Sequence, residues 1–103
     1  MRRSEAMNKP VTVYKICGGR RGAYHSACGY NVRYYLRRYV EANFRMRPEL
    51  YVFATEEDAR NSPFVGTLFK ARAQDEMPPF PAHTPHGTRC YRRVKLLKNL
   101  GPV

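Results

Sequence analysis

The sequence has 103 residues, enough for one domain and too few for two. Apolar residues make up 43% and charged residues 26%, close to the averages for globular proteins, which excludes a chain that is disordered throughout. Nineteen Lys and Arg outweigh eight Asp and Glu, and the formal charge of +11 favours attraction to nucleic acid or another polyanion.

The positive charge is unevenly distributed along the chain. Residues 1–48 carry a formal charge of +9, residues 49–76 carry −3 and residues 77–103 carry +5. Fourteen of the nineteen cations are Arg, whose planar guanidinium binds phosphate through paired hydrogen bonds and stacks on bases. The Arg bias therefore favours phosphate contacts, although a basic surface is also compatible with a role in solubility or with an acidic protein partner.

Hydropathy and cysteine content indicate the cellular compartment in which the protein is expected. No stretch reaches the ~18–20 apolar residues of a membrane-spanning helix, and the N-terminal residues lack the apolar run of a signal peptide. Three cysteines are an odd number and do not suggest a disulfide framework. We therefore expect an intracellular, cytoplasmic protein that has no membrane partner.

The N-terminal part is predicted to contain an arm, a strand and a turn. Residues 1–10 are polar and basic, and we expect them to form an arm outside a single domain of residues 11–98, with a tail at 99–103. Residues 11–17 (VTVYKIC) are rich in β-branched and aromatic side chains, which predicts the first strand. The three glycines of residues 18–22 (GGRRG) predict a turn after it.

Residues 30–40 (YNVRYYLRRYV) fit two periodicities. Their apolar positions match a helical stripe, and they also match an alternation of period two. The Tyr and Val content and the preceding Gly29 favour a strand, which is the interpretation adopted here.

The second half of the chain supplies the clearest elements. Residues 49–54 (ELYVFA) predict a third strand, and Thr55 with three acidic residues after it predicts the capped start of a helix over 56–61. Residues 65–73 and 88–97 predict two further strands. The expected fold class is α+β: a small, twisted, mainly antiparallel sheet with one short helix after the third strand.

Two of the predicted strands alternate cations with tyrosines. Along a strand, alternate side chains share one face, so each segment would present cations to phosphates and tyrosine rings to bases. The alternative is that the rings pack inward and the Arg stems cover them. The glycine-rich turn adds two further Arg, either as a phosphate-cradling loop or as an exposed hairpin tip. The candidate nucleic-acid-binding residues are Arg20, Arg21, Arg33, Tyr35, Arg37, Tyr39, Arg89, Tyr91, Arg93 and Lys95.

Two Cys and His pairs have residue types that can bind a metal ion. His25 precedes Cys28 by three positions, and His86 precedes Cys90 by four, so the two pairs could together supply a tetrahedral zinc site. Neither spacing is one of the strong zinc motifs, and a cysteine in a strand is often a small buried apolar residue. We therefore expect no metal, no other cofactor and no catalytic residues.

A resemblance covers residues 11–98. Its signals are VYK at 13–15, Ser26, Tyr34, LYVFATEEDAR at 50–60 and VKLL at 94–97. In these the chain resembles a family of small uncharacterised domains of phages, viruses and bacteria, which implies a compact β-rich fold and no particular activity. The strand, cap and helix of residues 50–60 are also similar to parts of ADP-ribosyltransferase-like folds.

Three functional hypotheses follow, in order of preference. The first is a non-enzymatic domain that binds nucleic acid, or another polyanion, mainly through phosphates and with little sequence specificity. The second is a phage or viral accessory module that inhibits or modulates an acidic host protein by charge complementarity. The third is a nucleotide-binding or ADP-ribosyltransferase-like domain, which would need a deep pocket between the glycine-rich turn and the capped helix.

Overall fold

Strands dominate the structure, and one short helix interrupts them. The computed structural model describes residues 9–20, 23–26, 33–41, 50–77 and 86–103. The elements are β1 (Val11–Arg20), β2 (Ala23–Ser26), β3 (Arg33–Tyr34), β4 (Tyr39–Glu41), β5 (Leu50–Phe53), α1 (Glu56–Arg60), β6 (Thr67–Glu76) and β7 (Thr88–Pro102). The paired strands are all antiparallel, which confirms a mainly antiparallel sheet with one short helix, in a fold closer to all-β than to α+β.

The helix follows the fifth of the described strands, where the sequence predicted the third. Residues 23–26 form an additional strand that returns along β1, so that Gly18 and Gly19 lie within a hairpin arm and not in the predicted turn. Within residues 30–40, the described part is extended but divided into β3 and β4. The division occurs at Arg37, whose φ of 60° lies in the left-handed region and turns the chain.

The sheet curls until its hydrogen-bonded strands form a closed circuit. The long strand β6 pairs with β1 on one side and with β7 on the other. On the far side, β5 pairs with β7 along four residues and meets β1 at Tyr14 opposite Phe53. The strands β2 and β3 extend the sheet from β1, and β4 pairs with β7. Closure leaves an interior lined by one face of the sheet, called here the inner face.

The inner face forms the main core because alternate residues of each strand point to it. Its buried members are Val13, Cys17, Tyr34, Leu50, Val52, Phe69, Ala71, Ala73, Tyr91, Val94 and Leu96. Lys15 shares this face and is 1% exposed. Its Nζ donates a hydrogen bond to the Tyr51 carbonyl oxygen at 2.5 Å and lies 5.2 Å from the centre of the Tyr34 ring. These contacts offset part of the cost of burying an ammonium group.

The opposite face of the sheet, called here the outer face, is covered at one end by α1. Ala59 of the helix packs with Ile16, Phe53 and Leu68 in a second apolar cluster. The predicted cap at Thr55 is confirmed, because its Oγ1 accepts a hydrogen bond from the Asp58 backbone N–H at 3.1 Å. The acidic first turn thus has a structural explanation at the positive end of the helix dipole.

The C-terminal residues belong to the sheet. Residues 99–103 were expected to be a tail, but β7 continues to Pro102, and Val103 exchanges two backbone hydrogen bonds with Gly66. Pairing with the start of β6 explains the extension, because Gly101 and Pro102 lie opposite Leu68 and Thr67. The predicted arm at 1–10 falls mostly outside the described residues, which begin at Lys9.

Candidate nucleic-acid interface

The alternation at Arg33, Tyr35, Arg37 and Tyr39 does not lie on one continuous strand. Arg33 is exposed in β3, opposite His25 of β2. Tyr35 bridges to Arg38 across the turn, and Arg37 at the turn donates its backbone N–H to the Leu96 carbonyl oxygen at 2.6 Å. The predicted single basic-aromatic face is therefore wrong for this segment, because the turn redirects the chain after Tyr35.

The alternation at Arg89, Tyr91, Arg93 and Lys95 lies in β7, but two of its cations form surface ion pairs with other strands and its tyrosine is buried. Arg89 pairs with Glu76 at 3.2 Å, and Arg93 pairs with Glu41 at 2.9 Å. Tyr91 is 7% exposed and belongs to the core, which corrects its predicted role as a stacking residue. Burial, reinforced by the nearby Glu76 carboxylate, raises the pKa of Tyr91 above its usual value.

The proposed phosphate-cradling loop at Arg20 and Arg21 falls mostly outside the described residues. The backbone of Arg20 ends β1 opposite Ala23, so the connection between β1 and β2 is shorter than predicted. The side chain of Arg20 and the whole of Arg21 lie outside the described residues.

The Cys and His pairs do not come together as zinc ligands in the described part of the chain. Cys17 and Cys90 are buried in the core, whereas His25 and His86 are exposed, and Cys28 lies outside the described residues. Within the described ranges, no group of three or more His, Cys, Asp or Glu side chains is placed to hold a metal ion.

Four cations meet on the outer face of β6 and β7. Arg72 lies directly opposite Lys95, and Lys70 lies directly opposite Lys98. Lys70 and Arg72 are two residues apart on one strand and therefore share a face, as do the residues opposite them. We call Lys70, Arg72, Lys95 and Lys98 the outer basic face.

A register irregularity completes the outer basic face. Lys95 and Lys98 are three residues apart, so in a regular strand they would point to opposite faces. The β6–β7 register shifts between Lys70 and Ala71, and Leu97 is left without an opposite residue. An extra residue of this kind resets the alternation, and it places Lys98 beside Lys95 on the outer face.

The cations of the outer basic face form no ion pair with a carboxylate of the described residues. The ion pairs within the described ranges join Arg60 to Glu56, Arg89 to Glu76 and Arg93 to Glu41, and none includes a residue of the outer basic face. Lys70, Arg72 and Lys98 are exposed, and Lys95 is half-buried. Like charges placed directly opposite each other in a sheet are destabilising, so this arrangement costs stability in the unbound protein.

The turn of residues 35–38 adjoins the outer basic face at the edge of the sheet. Tyr39 lies opposite Lys95, whose Nζ is 4.6 Å from the centre of the Tyr39 ring. Before it in the chain, Tyr35 and Leu36 are 38% and 48% exposed, and the Arg38 guanidinium carbon lies 5.2 Å from the centre of the Tyr35 ring. Of the predicted residues, the structure thus brings Tyr35, Arg37, Tyr39 and Lys95 together.

Sequence reasoning missed Lys70, Arg72 and Lys98. A signal for the first two is present, because Lys70 and Arg72 alternate with Ala71 and Ala73 in a predicted strand, which is the pattern of one polar and one buried face. No comparable signal exists for Lys98, since its orientation depends on the irregularity at Leu97.

Comparisons with known proteins place the chain in no family. No family model, no curated protein and no solved structure matches it. Among the helices of the described residues, none is long and apolar enough to cross a membrane.

Proposed function

We propose that the protein binds nucleic acid through the outer basic face, mainly by phosphate contacts and with little sequence specificity. The observation that carries this proposal is the pair of directly opposed cations, Arg72 with Lys95 and Lys70 with Lys98, on one exposed sheet face. The formal charge of +11 supports it.

The energetics of the outer basic face favour an anionic partner. In the unbound protein the four cations repel one another, and no described carboxylate forms an ion pair with them. A phosphate backbone laid across the two strands would replace this repulsion with attraction and release condensed counterions. Backbone contacts of this kind carry no base information, so the expected binding is tolerant of sequence.

The proposal is tested by measuring the fluorescence anisotropy of labelled oligonucleotides of several sequences over a series of salt concentrations. Binding should weaken steeply with salt, and Arg72→Ala should weaken it about equally for all sequences while lowering the logarithmic salt slope by roughly one unit. Arg60→Ala is the matched control, because it removes the same charge from a residue that is ion-paired with Glu56 on α1.

Two results would contradict the proposal. One is an equal effect of Arg72→Ala and Arg60→Ala, which would show that net charge alone matters. The other is the absence of salt-dependent binding to any oligonucleotide. A stoichiometric complex with a protein that survives nuclease treatment would then favour the accessory-module hypothesis.

A further inference from the structure

The turn of residues 35–38 exposes apolar and cationic groups side by side. Tyr35 and Leu36 are two of the four large hydrophobic residues that are exposed in the described parts of the chain, and they are adjacent. Arg37 and Arg38 follow them and are also exposed. Aromatic rings and guanidinium planes are the groups on which unpaired bases stack, and the Leu36 side chain adds an apolar surface beside them.

The turn is held in place on the sheet. The Arg37 backbone N–H donates to the Leu96 carbonyl oxygen at 2.6 Å, and Leu36 forms a bridge with Leu96. Tyr35 and Arg38 pair with each other across the turn, and Tyr39 then joins β7 opposite Lys95. The exposed Tyr35 ring is therefore presented by a fixed backbone, which reduces the entropy lost on binding.

The turn also adjoins the phosphate-binding surface. Leu96, which anchors it, is the next residue after Lys95 of the outer basic face. A strand whose phosphates contact Lys95 and Arg72 can thus bring a base to the turn at the edge of the sheet. In a duplex the base faces are stacked inside the helix, so such a turn has a base to contact only in a single strand.

Resting on the proposed function, we infer that the nucleic acid is single-stranded and that Tyr35, with Leu36 and Arg38 beside it, stacks on an unpaired base. The outer basic face supplies the phosphate contacts that both forms of nucleic acid share. The turn supplies the preference for the single strand.

The test compares a labelled single-stranded oligonucleotide with the duplex of the same sequence over the same series of salt concentrations. The single strand should bind more tightly. Tyr35→Ala should weaken single-strand binding at least about fivefold, leave duplex binding within about twofold, and leave the salt slope unchanged. Tyr35→Phe keeps the ring and should retain the affinity, and Val65→Ala, which truncates another exposed apolar residue, should have no effect.

A spectroscopic arm covers the case in which Tyr35→Ala fails to fold. The sequence contains no Trp, so Tyr35→Trp places a single indole at the turn. Stacking on a base should quench its fluorescence when the single strand is added, and the duplex should quench it much less.

The inference and the proposed function fail in different ways. If Tyr35→Ala weakens both forms equally, or if the duplex binds as tightly as the single strand and quenches Tyr35→Trp as strongly, the turn does not select a single strand. Loss of binding in Arg72→Ala under the same conditions would then leave the proposed function intact. Absence of binding to both forms would overturn both.

Discussion

Replacing Lys70 with Glu should make the unbound protein more stable while weakening its binding to nucleic acid. Lys70 lies opposite Lys98, and Arg72 and Lys95 form the next opposed pair on the same face. Lys70→Glu converts a repulsive cross-strand pair into an attractive one. The same change removes a phosphate contact and adds a charge that repels phosphate.

The size of the stabilisation follows from the register. Directly opposite side chains in an antiparallel pair have Cβ atoms about 4.5–5.5 Å apart, and a charge pair there contributes about 0.2–1 kcal/mol in either direction. Reversing the sign doubles that range, and exposure of both side chains to solvent favours its lower half, about 0.4–1 kcal/mol. For a domain of this length, this corresponds to a rise in Tm of about 2–8 °C.

Thermal unfolding followed by circular dichroism, at low salt and at 1 M salt, measures this effect. The Debye length falls to about 3 Å at 1 M, so the rise in Tm should largely disappear there. Lys70→Gln removes the repulsion without adding an attraction and should give about half the rise. Arg60→Glu makes the same charge change but breaks the ion pair with Glu56, so it should lower Tm. A Lys70→Glu protein that is no more stable than the wild type at low salt, or equally stabilised at both salts, would refute the reasoning.

Three further predictions concern stability. Thr55→Ala removes the cap on the Asp58 N–H and should cost about 0.5–2 kcal/mol in a urea titration, whereas Thr55→Ser should retain most of it. Gly87→Ala should cost more than about 1 kcal/mol by the same measurement, because φ is +81° and the new Cβ would overlap the Asp58 carboxylate; adding Asp58→Ala should recover only part of this cost, since the Asp58 Cβ would still lie 2.7 Å from the new Cβ. Because the pKa of Tyr91 is raised in the folded protein, the Tyr91 hydroxyl loses its proton at lower pH in the unfolded chain than in the folded one. The stabilisation that this hydroxyl gives the folded state is therefore complete below about pH 10 and is lost as the pH rises further. Tyr91→Phe should therefore show a smaller loss of stability than the wild type between pH 9 and 11.

The parts of the fold that depend on local chemistry could be predicted from the sequence. The strand of residues 50–53 and the cap at Thr55 are examples, because a β-branched and aromatic run and a Thr before acidic residues act over a few positions. The turn at Arg37 could not be predicted, since an arginine is not among the residues that favour positive φ. Its conformation is supported by the long-range hydrogen bond to Leu96.

The C-terminal end of β7 also could not be predicted from local sequence. Gly101 and Pro102 are poor strand formers, and the prediction stopped at Leu97. Pairing with β6 carries the strand to Pro102, because Gly101 and Pro102 lie opposite Leu68 and Thr67 at the start of β6. Tertiary pairing outweighs the weak local propensity here.

The candidate site depends on pairing between strands that are distant in the sequence. This explains which of the predicted cations belong to the outer basic face. Glu41 and Glu76 form ion pairs with Arg93 and Arg89, and those acidic residues come from strands that the sequence could not place beside β7. Lys95 differs because the residue opposite it in β6 is another cation, Arg72. Whether a cation of β7 is available to an anionic partner therefore depends on the charge of its cross-strand neighbour, and the alternation of charges along β7 alone does not show it. Two opposed cations on an exposed face are destabilising unless an anion joins them, and that is the physical reason why we propose this face, among the basic segments that the structure describes, as the contact for a phosphate backbone.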